Sequence, residues 1–318
     1  MKHAEDNTSV AGIDIAKTHL DVALYGRPCV RRFKPDGPGL RRLVDWLAGQ
    51  GVCRAGLEAT GGYERPVMQA LRLAGITVVR HQPLEVRLFA RIHRIRAKND
   101  RIDAQLIAMI TAQIQTVTTQ AGAGLEELAE RMTAYEQISE QLAQLKTYCE
   151  HVHLDDLRAR YDHLIEQTRS VKAQLLADII ARIRADPALA MRYELLRSLP
   201  GIGEVCAAVM LIRMPELGSL ERGQAASLIG VAPFDRDSGL HKGQRKITGG
   251  RARPRRFLYI AALAARRCSA LFMTFAQRLK DNGKRPKVVI VALMRKLIEA
   301  ANLVLKRASA WEAEMSST

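Results

Sequence analysis

Cysteine is scarce and scattered. Cys29, Cys53, Cys149, Cys206 and Cys268 form no Cys-x-x-Cys pair, which excludes a zinc ribbon and a disulfide scaffold and fits a reducing compartment. Aromatic residues make up 5% of the chain, too few for base stacking on exposed rings to be a main binding device. Long apolar runs are missing. The longest, 205–212 and 257–265, fall far short of the ~20 residues that span a bilayer, so no membrane partner is expected. Residues 1–10 are polar and lack a basic-then-apolar leader, which makes the cytoplasm the expected compartment. Acid is in short supply: 33 Asp+Glu face 49 Lys+Arg, a formal +16 over 318 residues. Hydrophobic content of 47% is enough for packed cores and excludes a wholly disordered chain. The length suggests about two domains.

The charge is unevenly placed. Residues 1–118 hold 18 basic and 11 acidic residues, a net +7; 119–190 hold 8 and 12, a net −4; 191–310 hold 23 and 8, a net +15. This basic–acidic–basic partition predicts two segments that face a polyanion, with nucleic acid the expected one.

Residues 9–26 read as two short strands about a tight connection at Lys17-Thr18, with a third strand near 29–33. Leu40, Leu43, Val44 and Leu47 recur at helical spacing, so 39–49 is expected to be an amphipathic helix. A buried strand over 52–57, a helix over 63–74 with Pro66 in its first turn and a strand over 76–79 follow. From 83 to 117 the pattern is helical, with a break near 97–100. Three β elements, then alternating α and β, then helices is the order of a ribonuclease-H-like α/β domain.

Residues 124–186 differ. After Asp155, an expected N-cap, Leu157, Tyr161, Leu164, Thr168, Val171 and Leu175 step by alternating fours and threes. This predicts two long helices joined near 151–156, a coiled-coil hairpin. Residues 190–300 read as mostly helical, interrupted by a glycine-rich basic loop at 235–254. The expected domains are 1–120, 121–188 and 189–310.

Four acids stand out. Asp14 lies in a strand with apolar neighbours, where burial of a carboxylate is costly and needs a reason. Glu58 ends a strand and is followed by Gly61-Gly62. Asp100 and Asp103 are three apart and share one face if 100–117 is helical; an N-cap and a dipole-favoured first-turn acid are the alternative. Set together at one edge of a ribonuclease-H-like sheet, four carboxylates repel and call for a hard cation, Mg²⁺ or Mn²⁺. Two such ions can clamp the attacking and leaving oxygens of a phosphodiester. Arg91, Arg94, Arg96 and Lys98 supply a basic run beside the acids.

A second constellation lies downstream. Leu199-Pro-Gly-Ile-Gly203 between two helical patterns is a helix–hairpin–helix signature, in which Gly201 and Gly203 allow a turn that aims backbone N–H groups at a phosphate. Residues 242–256 carry seven cations: Lys242, Arg245, Lys246, Arg251, Arg253, Arg255 and Arg256. Ser238 precedes this run in a Ser-Gly turn.

Together these segments resemble the transposases of the insertion sequence 110 family, the DEDD recombinases associated with bridge RNAs. The resemblance is carried by Gly12-Ile-Asp-Ile-Ala-Lys17, Leu57-Glu-Ala-Thr-Gly-Gly-Tyr63 and Lys98-Asn-Asp-Arg-Ile-Asp-Ala104 in a RuvC-like half. In a second half, Leu199-Pro-Gly-Ile-Gly203, Gly230-Val-Ala-Pro233, Asp237-Ser-Gly239 and Gly249-Gly-Arg251 carry it. It implies a catalytic tetrad of Asp14, Glu58, Asp100 and Asp103, a nucleophilic Ser238, donor and target double-stranded DNA, a structured guide RNA, and dimers or tetramers in a prokaryotic cytoplasm at the nucleoid. The site residues by themselves also fit a metal-dependent Holliday-junction-type endonuclease, which would need no serine. A non-enzymatic nucleic-acid-binding scaffold is the third reading.

Overall fold

The computed structural model describes residues 10–95, 100–113, 123–234 and 246–312, with backbone alone for Asp100, Arg101, Ala123 and Phe234. Ser238, Arg96, Lys98, Lys242 and Arg245 lie outside the described residues. Contacts divide the chain into two compact units, Met1–Thr118 and Thr119–Thr318.

The first unit opens with β1 (Val10–Ile15), β2 (Leu20–Leu24) and β3 (Val30–Phe33), an antiparallel meander. Then come α1 (Gly37–Gly49), β4 (Arg54–Glu58), α2 (Glu64–Leu73), β5 (Thr77–His81), α3 (Pro83–Ile92) and α4 (Asp100–Gln113). β4 and β5 join parallel to β1, so the five-stranded sheet runs β3-β2-β1-β4-β5. The strands joined by helices are parallel because such crossovers return the chain in the same direction. Local chemistry sets the helix starts. Asp36 caps α1 through a 2.7 Å bond from the Gly39 amide, and Gln82 with Glu85 forms a capping box ahead of Pro83. Ile13, Leu20, Leu43, Leu47, Leu57 and Leu71 are fully buried in the core, each worth about 1.5–3 kcal/mol of apolar transfer.

The second unit begins with a hairpin of two long helices, α5 (Ala123–Cys149) and α6 (Asp155–Ala185). They run antiparallel: Arg131 meets Asp178 at 2.6 Å, and Cys149 packs with Ile165. Two expectations need correcting here. Leu154, not Asp155, is the N-cap of α6; Asp155 and Asp156 fill its first turn, where the helix dipole favours acid. The expected heptad stripe also does not all face α5. Tyr161 packs inward beside buried Ile165, whereas Leu157, Leu164 and Val171 are 40–45% exposed. The inner seam runs one residue off the expected register, through Ile165, Ile179 and Ile183.

The rest is α7 (Pro187–Arg197), α8 (Glu204–Arg213), α9 (Gln224–Ile229), the short pair β6 (Pro233–Phe234) and β7 (Lys246–Ile247), then α10 (Ala252–Cys268), α11 (Ala270–Asp281) and α12 (Pro286–Arg307). Asp186 caps α7 through the Ala188 and Leu189 amides. α8 is apolar on every side and buried from Cys206 to Ile212, at the centre of a core that also takes in Leu128, Met132 and Ile179 from the hairpin. The basic loop expected at 235–254 is shorter on its C-terminal side, because α10 starts at Ala252 and carries Arg253, Arg255 and Arg256 on a helix. No single helix among the described residues is long and apolar enough to cross a membrane.

Candidate active site

Two glycines build the first site. Gly12 and Gly56 are register partners on β1 and β4, and both turn toward α4. A Cβ on Gly12 would stand 2.3 Å from the Ala104 carbonyl oxygen and 2.2 Å from the Ala108 amide; one on Gly56 would stand 1.7 Å from Thr111 Oγ1. Only glycine lets the helix lie this close to the sheet. Because side chains alternate along a strand, Asp14 and Glu58, each two residues further on, share that α4-facing side. They are also the next step after the Ile13–Leu57 pair, so they stand side by side on adjacent strands.

The rung continues in both directions. Asp14 is the register partner of Asp21, Asp21 of Arg32, and Glu58 of His81. A single polar row, Arg32–Asp21–Asp14–Glu58–His81, therefore crosses all five strands on one face. Asp21 is almost wholly buried, and Arg32 forks onto it with bonds of 2.7 and 2.6 Å. This neutralises a carboxylate that would otherwise repel Asp14 across the strand pair. At the far end His81 Nε2 bonds Thr111 Oγ1 at 2.8 Å. Thr111 donates its own proton to the Ile107 carbonyl at 2.5 Å, so His81 is the donor to Thr111. Burial lowers the His81 pKa below the usual value, with Glu85 opposing and Arg54 adding. Neutral His81 thereby ties α4 to the sheet.

Asp103 is partly buried on α4, one residue from the carbonyl that rests against Gly12. Asp100 opens the helix, and its side chain is not among those described. Among the described residues no three His, Cys, Asp or Glu side chains are grouped to hold a metal ion. The donor chemistry nevertheless fits a hard divalent cation: adjacent carboxylates on one face, with Asp21 already taken by Arg32. Beyond Glu58, Gly61 and Gly62 take positive φ around Glu64, whose buried carboxylate accepts from the Thr60 hydroxyl and the Thr60 and Gly62 amides. Burial pushes its pKa up, and the hydrogen bonds outweigh that and hold it below the usual carboxylate range.

Arg91 and Arg94 are exposed at the end of α3. Arg94 has φ 56°, and the Ile95→Ala90 and Arg94→Arg91 backbone bonds close a Schellman turn about it. Glycine is the usual residue there; an arginine costs about 1 kcal/mol.

In the second unit Gly201, at φ 82°, is pressed against α10: a Cβ would lie 2.3 Å from the Ala261 carbonyl oxygen. Its glycine is required by helix packing. Gly203 is exposed ahead of α8, whose first turn already holds the acidic Glu204. The arginines of the basic segment mostly have protein partners. Arg251 forks onto Glu216 at 2.6 and 2.8 Å and also donates to the Arg213 carbonyl. Arg253 meets Glu136 at 3.0 Å, Arg256 meets Glu140 at 2.8 Å, and Arg255 donates to the Gly249 carbonyl. Lys246 is exposed on β7.

Sequence reasoning missed Asp21, Arg32 and His81. For Asp21 the signal was present, since Leu20-Asp-Val repeats the buried-strand acid of Ile13-Asp-Ile. Arg32 and His81 became legible only through register.

Residues 11–158 match the transposase model of the DEDD type of insertion sequence 110, and residues 193–277 match the family described as "Transposase IS116/IS110/IS902 family". The chain is 27% identical over 314 residues to the pilin gene-inverting protein of Moraxella bovis, covering 93% of this chain and 95% of that protein. The corresponding protein of Moraxella lacunata is equally similar. A 42 kDa protein of insertion element IS900 from Mycobacterium paratuberculosis is 30% identical over 124 residues, 36% of this chain and 29% of that protein. With both halves matched in order, the chain belongs to the IS116/IS110/IS902 family of transposases and is a DNA recombinase of that family.

Proposed function

We propose that the chain cuts and rejoins DNA strands with Asp14, Glu58, Asp100 and Asp103 as a tetrad for Mg²⁺ or Mn²⁺, and with Ser238 as nucleophile. The observation that carries this reading is the pairing of Asp14 with Glu58 on the α4 face, beside a neutralised Asp21. The β3-β2-β1-β4-β5 order with α4 laid across it supports a RuvC-like, ribonuclease-H-like reading of the first unit. A divalent cation held there would polarise the phosphodiester and stabilise its leaving oxygen.

In the proposed step Ser238 Oγ bonds the scissile phosphorus, its proton passing to Asp235, Asp237 or water, while the bond to one strand oxygen breaks and that oxygen takes up a proton from water or from the same acceptor and leaves as a hydroxyl. The phosphoserine ester keeps the bond energy, and attack by a hydroxyl of another strand restores the serine. A relative named for gene inversion supports rejoining over simple cleavage. The family resemblance further proposes an element-encoded guide RNA, so that base pairing reads sequence while the protein reads backbone and shape. The exposed Leu157, Leu164 and Val171 recur every seven residues on α6, which supports protomer pairing through the hairpin into dimers or tetramers. The domain division 1–120, 121–188 and 189–310, with a helix–hairpin–helix at 199–203, belongs to the same reading, as does action on nucleoid DNA in a prokaryotic cytoplasm.

The test is a denaturation-resistant protein–DNA adduct formed with Mg²⁺ on DNA carrying the element's ends. Ser238→Ala is expected to abolish adduct and strand exchange together, and Asp14→Asn to abolish both while leaving DNA binding intact. Full exchange by Ser238→Ala would overturn the serine assignment and leave the Holliday-junction-type nuclease reading. Exchange-competent Asp14→Asn would remove the tetrad. Sequencing of co-purified RNA decides the guide: flanking non-coding sequence of the same element is expected.

A further inference from the structure

The turn between α11 and α12 carries a concentration of cations that the site described above does not use. Lys280, Lys284, Arg285 and Lys287 fall within eight residues, and the whole of 280–288 is exposed. Among the described residues none of the four has an ion-pair partner. The one acid in the segment, Asp281, accepts a 2.8 Å bond from Gln277, and the next acid along the chain, Glu299, accepts from the Gly223 and Ala226 amides.

The turn is rigidly built. Gly283 takes φ 69°, its amide bonds the Lys280 carbonyl at 2.8 Å, and the Lys284 amide bonds the Leu279 carbonyl at 3.0 Å. These two bonds close a Schellman motif, and Pro286 then fixes the first turn of α12. Val289, Ile290 and Leu293 anchor that helix in the core. Further cations crowd the same helix pair: Arg278 and Lys296 both stand over the Phe275 ring, at 5.4 and 5.1 Å. Lys280, Lys284, Arg285 and Lys287, held together on a fixed backbone, repel one another, and a polyanion relieves that repulsion.

We propose that this corner is a contact surface for the phosphate backbone of duplex DNA, separate from the basic segment at 242–256. It lies beyond residue 277, where the family match ends. The proposal rests on the reading of the chain as a DNA recombinase. Fixed point charges with few aromatic rings suit phosphates of any sequence.

The test uses the full chain and the variant K280Q/K284Q/R285Q/K287Q. Binding to a duplex of arbitrary sequence and to single-stranded RNA is followed by fluorescence anisotropy across roughly 50–200 mM salt. The variant is expected to bind duplex about tenfold or more weakly, and to lose about 2–4 from the slope of log affinity against log salt, with a smaller change on RNA. Unchanged duplex affinity and slope in a variant that melts like the parent would overturn the proposal, as would a loss confined to RNA. Should the fourfold variant fold poorly, K284Q/K287Q is expected to show about half the slope change, and none overturns the proposal. A parent chain that fails to bind duplex would instead overturn the DNA reading beneath it.

Discussion

The two basic stretches of the second unit look alike in sequence and behave differently in the fold. Between Arg251 and Arg256 every arginine has a protein partner: Glu216, Glu136 and Glu140 for Arg251, Arg253 and Arg256, and backbone carbonyls for Arg255. Between Lys280 and Lys287 no cation has an acidic partner among the described residues. Positive charge in a sequence therefore does not say whether it is bound internally or displayed. The first stretch is itself graded. Arg251 and Glu216 form a partly buried fork with side chains 36% and 17% exposed, whereas Arg256 and Glu140 are 70% and 55% exposed. Exposed pairs are worth roughly 0–1 kcal/mol, so Arg256 exchanges a carboxylate for a phosphate at small cost, and Arg251 does not.

Three variants sharpen the contrast. Arg251→Ala is expected to have the largest effect on stability, a loss of about 1–3 kcal/mol in chemical denaturation, because Glu216 keeps a half-buried charge without its partner. The same pair sets a pH dependence. Burial raises the Glu216 pKa, but the Arg251 fork and a backbone amide outweigh it and hold the carboxyl below its ordinary range. Its stabilisation is therefore complete above that range and lost as pH falls through the lowered value. Acid titration of the melting temperature should show a late drop that Glu216→Gln flattens. Smallest in stability, Arg256→Gln, whose pair with Glu140 is exposed on both sides, should change it by at most about 1 kcal/mol while weakening DNA binding and its salt dependence. If Arg256→Gln destabilises the chain more than Arg251→Ala does, the distinction between bound and exchangeable arginines is wrong.

The first unit was largely legible in its elements and only half legible in its site. Apolar runs and helical spacing predicted each strand and helix to within a few residues, whereas the start of α1 at Gly37 with Asp36 as its cap emerged only in the fold. Asp14 was singled out because a carboxylate in an apolar strand is conspicuous, and Glu58 because it ends a strand ahead of two glycines. Arg32 and His81 were not, since an arginine on an edge strand and a histidine at a strand end are ordinary until pairing sets them in one row. Gly12 and Gly56 carried no signal of their own in the sequence, and in the fold their role is to admit α4. On α6 the periodicity predicted a helix and a seam, and the seam formed one residue away, because Ile165, Ile179 and Ile183 are a better match to the buried face than Leu157, Leu164 and Val171.

By itself the sequence determined the element order, the family and the total charge, since these depend on residue type and spacing along one chain. Tertiary structure alone decided which charges meet. A register places Asp21 between Asp14 and Arg32, a glycine-lined contact ties His81 to α4, and helix packing sets Glu136 and Glu140 against Arg253 and Arg256. Coulomb interaction falls with distance through space and is indifferent to distance along the chain, so which charge is bound and which is displayed becomes readable only once the chain has folded.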